Sequence, residues 1–205
     1  MDARTCIQKL RLIASVAAAT VDASGSPQVR TIGVMHAEGE ELYFLTARGK
    51  PFYRELIATK KVQLLGLSRF KEMIRFDGAP ELLPPEEQDV WREKIFAENP
   101  CMANVYPGAS RSILDIFRLR RGVIEYFDLG VHPIFRETYE LGGAAAKPKG
   151  YETGDSCSGC GICAASCPQG CIEAGAPYRI QKEHCLHCGL CREKCPAGAI
   201  LRLGD

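Results

Sequence analysis

Cys157-Ser-Gly-Cys160-Gly-Ile-Cys163-Ala-Ala-Ser-Cys167-Pro168 is repeated 28 residues later as Cys185-Leu-His-Cys188-Gly-Leu-Cys191-Arg-Glu-Lys-Cys195-Pro196. Each run reads C-x2-C-x2-C-x3-C-P. Three cysteines two residues apart wrap one face of a small inorganic cube, while the fourth, set further off and followed by proline, points toward a second cube. That is the ligand pattern of two four-iron four-sulfur clusters, each run lending its fourth cysteine to the other run's cluster. The spacing predicts Cys157, Cys160, Cys163 and Cys195 on one 4Fe-4S cluster and Cys185, Cys188, Cys191 and Cys167 on the other. Structural zinc takes four ligands, usually as two separated pairs, and would leave a surplus thiolate in each run. A disulfide framework needs an oxidising compartment, and the N-terminal residues lack the basic, then apolar, then small-residue order of a leader. Cys171 aligns with Ala199 of the second repeat. It reads as a small packing residue and not as a ninth ligand.

Residues 155–203 resemble the bacterial two-cluster ferredoxins. The resemblance implies a compact pseudo-twofold module that carries single electrons. So short a segment buries little apolar surface, and the clusters are expected to stand in for a core. Gly159, Gly161 and Gly189 suit the cramped backbone around a cube, and His184 and His187 flank the ligand Cys185.

With 205 residues, the chain has room for this module plus one domain of ordinary size. Formal charge is +1 with acids and bases interleaved. No basic stripe for nucleic acid and no lysine-rich amphipathic face for a membrane is present. The longest apolar run, Leu12 to Val21, is broken by Ser15 and Thr20 and falls far short of the ~20 residues of a spanning helix. The expectation is a cytoplasmic protein.

Ahead of the cysteines, Cys6, Leu10 and Ile13 have the spacing of an amphipathic helix. Short β-rich runs follow, Val16 to Val21, Val29 to His36 and Leu42 to Thr46, split by Asp22-Ala-Ser-Gly-Ser-Pro27 and Glu38-Gly39. Pro51 can open a short helix to Ile57. Strands are expected over 61–68 and 73–82, and a helix from Pro84-Pro85-Glu86-Glu87 to Glu98, with Trp91 and Ile95 in the core. Ile113 to Arg120 and Gly122 to Asp128 read as a closing hairpin. The fold class is mainly β: a split β-barrel with flanking helices, then a small α+β ferredoxin domain. The predicted organisation is a barrel domain over 1–140, a linker over 141–154 and the two-cluster domain over 155–205.

The carrying residues of a second resemblance are Arg30-Thr-Ile-Gly-Val-Met35, Leu45-Thr46, Lys50 and Met73-Ile-Arg-Phe-Asp-Gly78. With their order, residues 6–127 resemble the flavin-binding split barrels of the pyridoxamine 5′-phosphate oxidase superfamily. The resemblance implies FMN, with Arg30, Thr31, Ile32 and Gly33 along the ring or ribityl chain and Thr46 and Lys50 on the phosphate. It also implies a homodimer that binds flavin between subunits. Physical chemistry supports the phosphate end: Thr46-Ala-Arg48-Gly49-Lys50-Pro51 offers a hydroxyl, cations and free amides before a helix N-terminus. Met73 stands where the oxidases have a glutamine that holds the ring, and their C-terminal tryptophan and arginine motif is absent. Pyridoxamine phosphate oxidation is therefore not expected, and the nearer likeness is to flavin reductases of the nitroimidazole-resistance type.

These readings converge on a flavin and iron–sulfur oxidoreductase passing electrons between two 4Fe-4S clusters and FMN to a small-molecule substrate or redox protein partner. Two alternatives stay open. One is a non-enzymatic electron carrier with a dimerising barrel. The other is a tetrapyrrole-binding barrel, which would need His36 or His132 to face a pocket; both histidines read as structural.

Overall fold

The computed structural model describes residues 1–204. Its packing separates one compact unit of Met1–Arg69, Met73–Glu125 and Tyr139–Ala145 from a second of Phe70–Glu72, Tyr126–Thr138 and the chain from Ala146 onward. No helix among the described residues is long and apolar enough to cross a membrane.

The first unit opens with α1 (Ala3–Ile13), whose start is capped by Asp2 accepting the Thr5 amide at 2.7 Å. Cys6 and Leu10 lie fully buried on its inner face, so Cys6 is a packing residue. Then come β1 (Ser15–Val21), β2 (Pro27–Gly33), β3 (His36–Glu38), β4 (Glu41–Ala47), α2 (Pro51–Thr59), β5 (Val62–Leu67), β6 (Glu72–Leu82), α3 (Pro85–Glu98), the single turn α4 (Met102–Val105), β7 (Leu114–Asp128) and β8 (Phe135–Leu141).

The sheet runs β2-β1-β5-β6-β7-β4-β3, with β8 also on β7. Its two edge strands, β2 and β3, are separated in the chain by Val34 and Met35 alone. Seven strands laid flat would hold their edges roughly 30 Å apart, and so short a link reaches only about 11 Å. The sheet therefore curls until its two edges come together at that link, which is the split barrel. Inside it, the pairs Leu42↔Leu119 and Phe44↔Phe117 face Leu64, Ile74 and Phe76, all fully or almost fully buried. On the opposite face of β4 and β7, α3 covers Tyr43, Leu83 and Ile116 with Ile95 and Trp91, and Trp91 stacks on Tyr43 at 4.0 Å.

One expectation fails here. The hairpin read over 113–128 is a single strand, β7, of 15 residues. Gly122 bends it without reversing it: φ is +153°, and a side chain there would meet the Asp77 carbonyl oxygen at 2.2 Å. A glycine between two β-rich runs looks the same in sequence whether it turns the chain or kinks it.

In the second unit, β9 (Tyr151–Thr153) falls inside the stretch read as linker and pairs with β12 (Ile200–Arg202). Between them lie α5 (Ile162–Ser166), β10 (Ile172–Glu173), β11 (Arg179–Ile180) and α6 (Leu190–Glu193), with β10 and β11 paired. The segment from the end of β7 to the start of β8 belongs to this unit. Gln169 accepts the Ile134 amide at 2.8 Å, His184 donates Nδ1–H to the Ile134 carbonyl at 2.8 Å, and Arg136 donates to the Cys185 carbonyl at 3.2 Å. His184 is thus a clamp on that segment. Its place beside a predicted ligand in the sequence gave no hint of this.

Candidate iron–sulfur and flavin sites

Two cavities lie in the second unit. Cys157, Cys160, Cys163 and Cys195 line one. Cys167, Cys185, Cys188 and Cys191 line another. Each brings together three cysteines of one run and the fourth of the other. Cys171 also borders the second cavity, with its Sγ 3.5 Å from that of Cys167, while its repeat partner Ala199 borders the first.

Local backbone explains how the runs fold round these spaces. Gly161 and Gly189 precede α5 and α6 with φ of +76° and +82°, a conformation that costs other residues energy. A side chain on Gly161 would stand 3.0 Å from the Tyr178 hydroxyl, and one on Gly189 2.8 Å from the Tyr151 hydroxyl. The two halves therefore repeat each other in their tyrosines as well as in their cysteines.

The donor set fits iron–sulfur clusters. Among the described residues, no three His, Cys, Asp or Glu side chains converge closely enough for a single ion. The thiols instead stand round a volume. Burial pushes the thiols of Cys163, Cys185 and Cys191 up, that of Cys191 to about 11, so thiolates here need positive charge beside them. Amides already aim at sulfur: His187 N–H at Cys185 Sγ over 3.4 Å and Ala199 N–H at Cys195 Sγ over 3.3 Å. Amides of Tyr178 and Gly159 hold the Cys157 thiol below its usual range. Thr153 is among the residues lining the first cavity, and its Oγ1 is buried with no hydrogen-bond partner among the described residues.

The barrel residues gather in two places. Thr46 is buried at the end of β4, opposite Asp115 of β7. Asp115 is itself buried and accepts from Arg48 at 2.8 Å and from the Tyr53 hydroxyl at 2.9 Å. Lys50 stands exposed at the N-cap of α2, and no side chain caps that helix. The turn therefore presents two cations, with Asp115 steering one of them; Pro51 opens α2 without an N–H, and the Tyr53 amide already donates to the Lys50 carbonyl at 3.2 Å. Burial, ahead of the Asp115 bond, raises the Tyr53 pKa and keeps that hydroxyl a donor.

Arg30, Thr31, Ile32 and Gly33 lie on β2, an edge strand. The ladder with β1 uses only alternate backbone groups, leaving the others directed outward. The Arg30 guanidinium is committed inward: it bonds Thr20, pairs with Glu55 at 2.8 Å and lies 4.6 Å over the Phe52 ring. The space opened by Gly33 is taken by the Met35 methyl, which an added side chain would meet at 2.5 Å. Sequence reasoning missed Asp115 and Glu55, though an acid inside an apolar strand, Leu114-Asp115-Ile116-Phe117, is a visible signal of a buried charge.

Residues 6–114, just over half of the chain, match the family model described as pyridoxamine 5′-phosphate oxidase. The chain belongs to that family. Its barrel carries a further module in this case, since residues 156–199 match the model of a 4Fe-4S dicluster domain. Among solved structures, a nimc/nima family protein from Clostridium acetobutylicum is similar at 19% identity and a TM-score of 0.57, over 67% of this chain and 92% of that one. A pyridoxamine 5′-phosphate oxidase-related, FMN binding protein from Nostoc punctiforme is similar at 16% identity and 0.52, over 71% and 94%. A heme binding protein from Mycobacterium smegmatis is similar at 13% and 0.53, over 68% and 57%. At these identities the likeness is one of fold. No curated protein matches the sequence.

Proposed function

We propose that this member of the pyridoxamine 5′-phosphate oxidase family is a flavin and iron–sulfur oxidoreductase holding two 4Fe-4S clusters and FMN and delivering electrons to a small substrate or a redox partner protein. The observation that carries the reading is the pair of cavities, each walled by three cysteines of one run and the fourth of the other, in a chain whose barrel is of a flavin-binding type. When bound, the clusters would supply single electrons and the flavin a junction between one- and two-electron chemistry.

Within that reading the chain's residues divide the work. Cys157, Cys160, Cys163 and Cys195 hold one cluster, and Cys167, Cys185, Cys188 and Cys191 the other. Cys171 packs beside the second. Outward backbone groups of Thr31, Ile32 and Gly33 meet the polar edge of the flavin ring. Arg30 braces the strand from behind. Lys50 and Arg48 take the phosphate, while buried Thr46 shapes the turn. Val29, Leu65 and Leu67 leave an apolar outer face across β2, β1 and β5, with Val29 71% and Leu67 62% exposed. A second copy of this chain is the proposed cover. Eight cysteines given to clusters in place of disulfides fit a reducing, cytoplasmic setting.

Among the described residues, neither histidine that the tetrapyrrole alternative needs faces the inside of the barrel. His36 bonds Glu98 at 2.7 Å and packs edge-on against Tyr43 and Trp91 on the α3 side, and His132 is exposed.

Protein purified without oxygen tests the reading. About eight irons and as many sulfides per chain are expected, together with released FMN and a dimer by sedimentation. Zinc without sulfide, or haem in place of flavin, would overturn it. The phosphate site has its own test. A hydrogen bond to a charged group is worth ~1.5–3 kcal/mol, so Lys50→Ala should weaken FMN binding by about one to two orders of magnitude. Riboflavin, lacking the phosphate, should bind the variant as it binds the parent. Equal losses for both ligands would move the phosphate away from this turn.

A further inference from the structure

We propose that the Thr153 hydroxyl donates a hydrogen bond to the cluster held by Cys157, Cys160, Cys163 and Cys195, and thereby raises the reduction potential of that cluster alone. The inference rests on the two-cluster reading above and adds an inequivalence between the two sites that the cysteine repeat does not contain.

Thr153 Oγ1 is buried without a partner among the described residues. A dry, unpaired hydroxyl is costly, so an acceptor is called for. Thr153 borders two spaces: the cavity of Cys157, Cys160, Cys163 and Cys195, and an open groove over Pro177 to Glu183. An oxygen aimed into the open groove would be wet. The dry oxygen therefore belongs with the cavity, where the acceptors are sulfurs.

Strand register shows what stands in the same place at the other cluster. Thr153 of β9 pairs with Ile200 of β12, and Ile180 of β11 pairs with Ile172 of β10. Ile200 and Ile172 are 28 residues apart, the offset of the cysteine runs. Ile180 is thus the counterpart of Thr153, and it lines the cavity of Cys167, Cys185, Cys188 and Cys191. One site has a hydroxyl there and the other has a hydrocarbon. Reduction adds negative charge to a cluster, and an O–H directed at sulfur stabilises the more negative state. The surplus thiol at the second site, Cys171, is a weaker donor that none of the variants below alters.

The test is a redox titration followed by electron paramagnetic resonance on the cluster-loaded full chain. Thr153→Val, which keeps shape and removes the donor, should shift one midpoint negative by about tenfold in the reduction equilibrium, or ~59 mV for one electron. The other midpoint should stay put. Thr153→Ser should keep the parental value, which a purely packing role would not predict. Ile180→Thr should move the other midpoint positive. Unchanged midpoints in Thr153→Val with iron content intact would overturn the inference and leave the two-cluster reading standing. So would a shift of the same midpoint by both Thr153→Val and Ile180→Thr. Parent protein lacking iron would overturn both.

Discussion

Stripping iron from the anaerobic protein with a chelator should unfold the cysteine-rich part of the second unit while the barrel stays folded. The buried core of that part consists of Cys163, Cys171, Ile172, Ile180, Cys185, Cys191 and Ile200. Four of those seven are cysteines, so the buried apolar side chains of that cluster left after metal loss are three isoleucines, with Tyr151, Ala164 and Tyr178 half-buried against them. Its strands are two or three residues long and its helices four or five. Neither is stable alone in water. Ligation then supplies nearly all of the folding free energy, as in small metal-dependent domains. Trypsin should cut at Lys182, Arg192 or Lys194 within minutes of iron removal, and the barrel should emerge as a resistant fragment. Equal resistance of these sites before and after chelation would show that the fold stands without its metal.

Arg30→Ala should destabilise the barrel by about 3–5 kcal/mol, the usual cost of removing one partner from a buried ion pair. Glu55 is 7% exposed and sits in α2, and the Arg30 side chain is 23% exposed on β2. Between them the Thr20 hydroxyl of β1 donates to Glu55 and accepts from Arg30. One guanidinium therefore ties two strands and a helix. Without it a carboxylate stays buried beside Phe52. Urea unfolding followed through Trp91, the single tryptophan, reads the barrel. The double variant Arg30→Ala with Glu55→Ala should recover part of the loss, because no charge is then stranded. If both single variants melt like the parent, the pair carries no structural weight and Arg30 returns as a candidate for direct flavin contact.

That outcome bears on how far the chain could be read before its structure. Paired cysteine runs are legible because ligand spacing is a local property. The α1 and α3 helices, with Ile95 and Trp91, are legible for the same reason: their periodicity lies within a few turns. β7 was not, because bending and reversing at Gly122 differ only in what lies across the sheet, here the Asp77 carbonyl. The split-barrel resemblance implied a ligand contact for Arg30, and only the distant Glu55 shows where its charge is spent. Thr153 sat in a segment that composition marks as linker. Its counterpart is 27 residues on, one short of the cysteine offset, so aligning the repeats by cysteine alone hides it.

The crossed grouping of the cysteines also bears on how the chain is made. Synthesis runs from the N-terminus, so the cavity completed by Cys191 acquires its last wall before the cavity completed by Cys195. A chain released early, after Cys191 and before Cys195, would present one finished site and one lacking a ligand. Neither site can close on the first run alone, since Cys157 to Cys167 hold only three positions of one cavity and one of the other. A nascent chain thus cannot complete either cavity until residues 185–195 have been made, by which point the whole barrel has been synthesised.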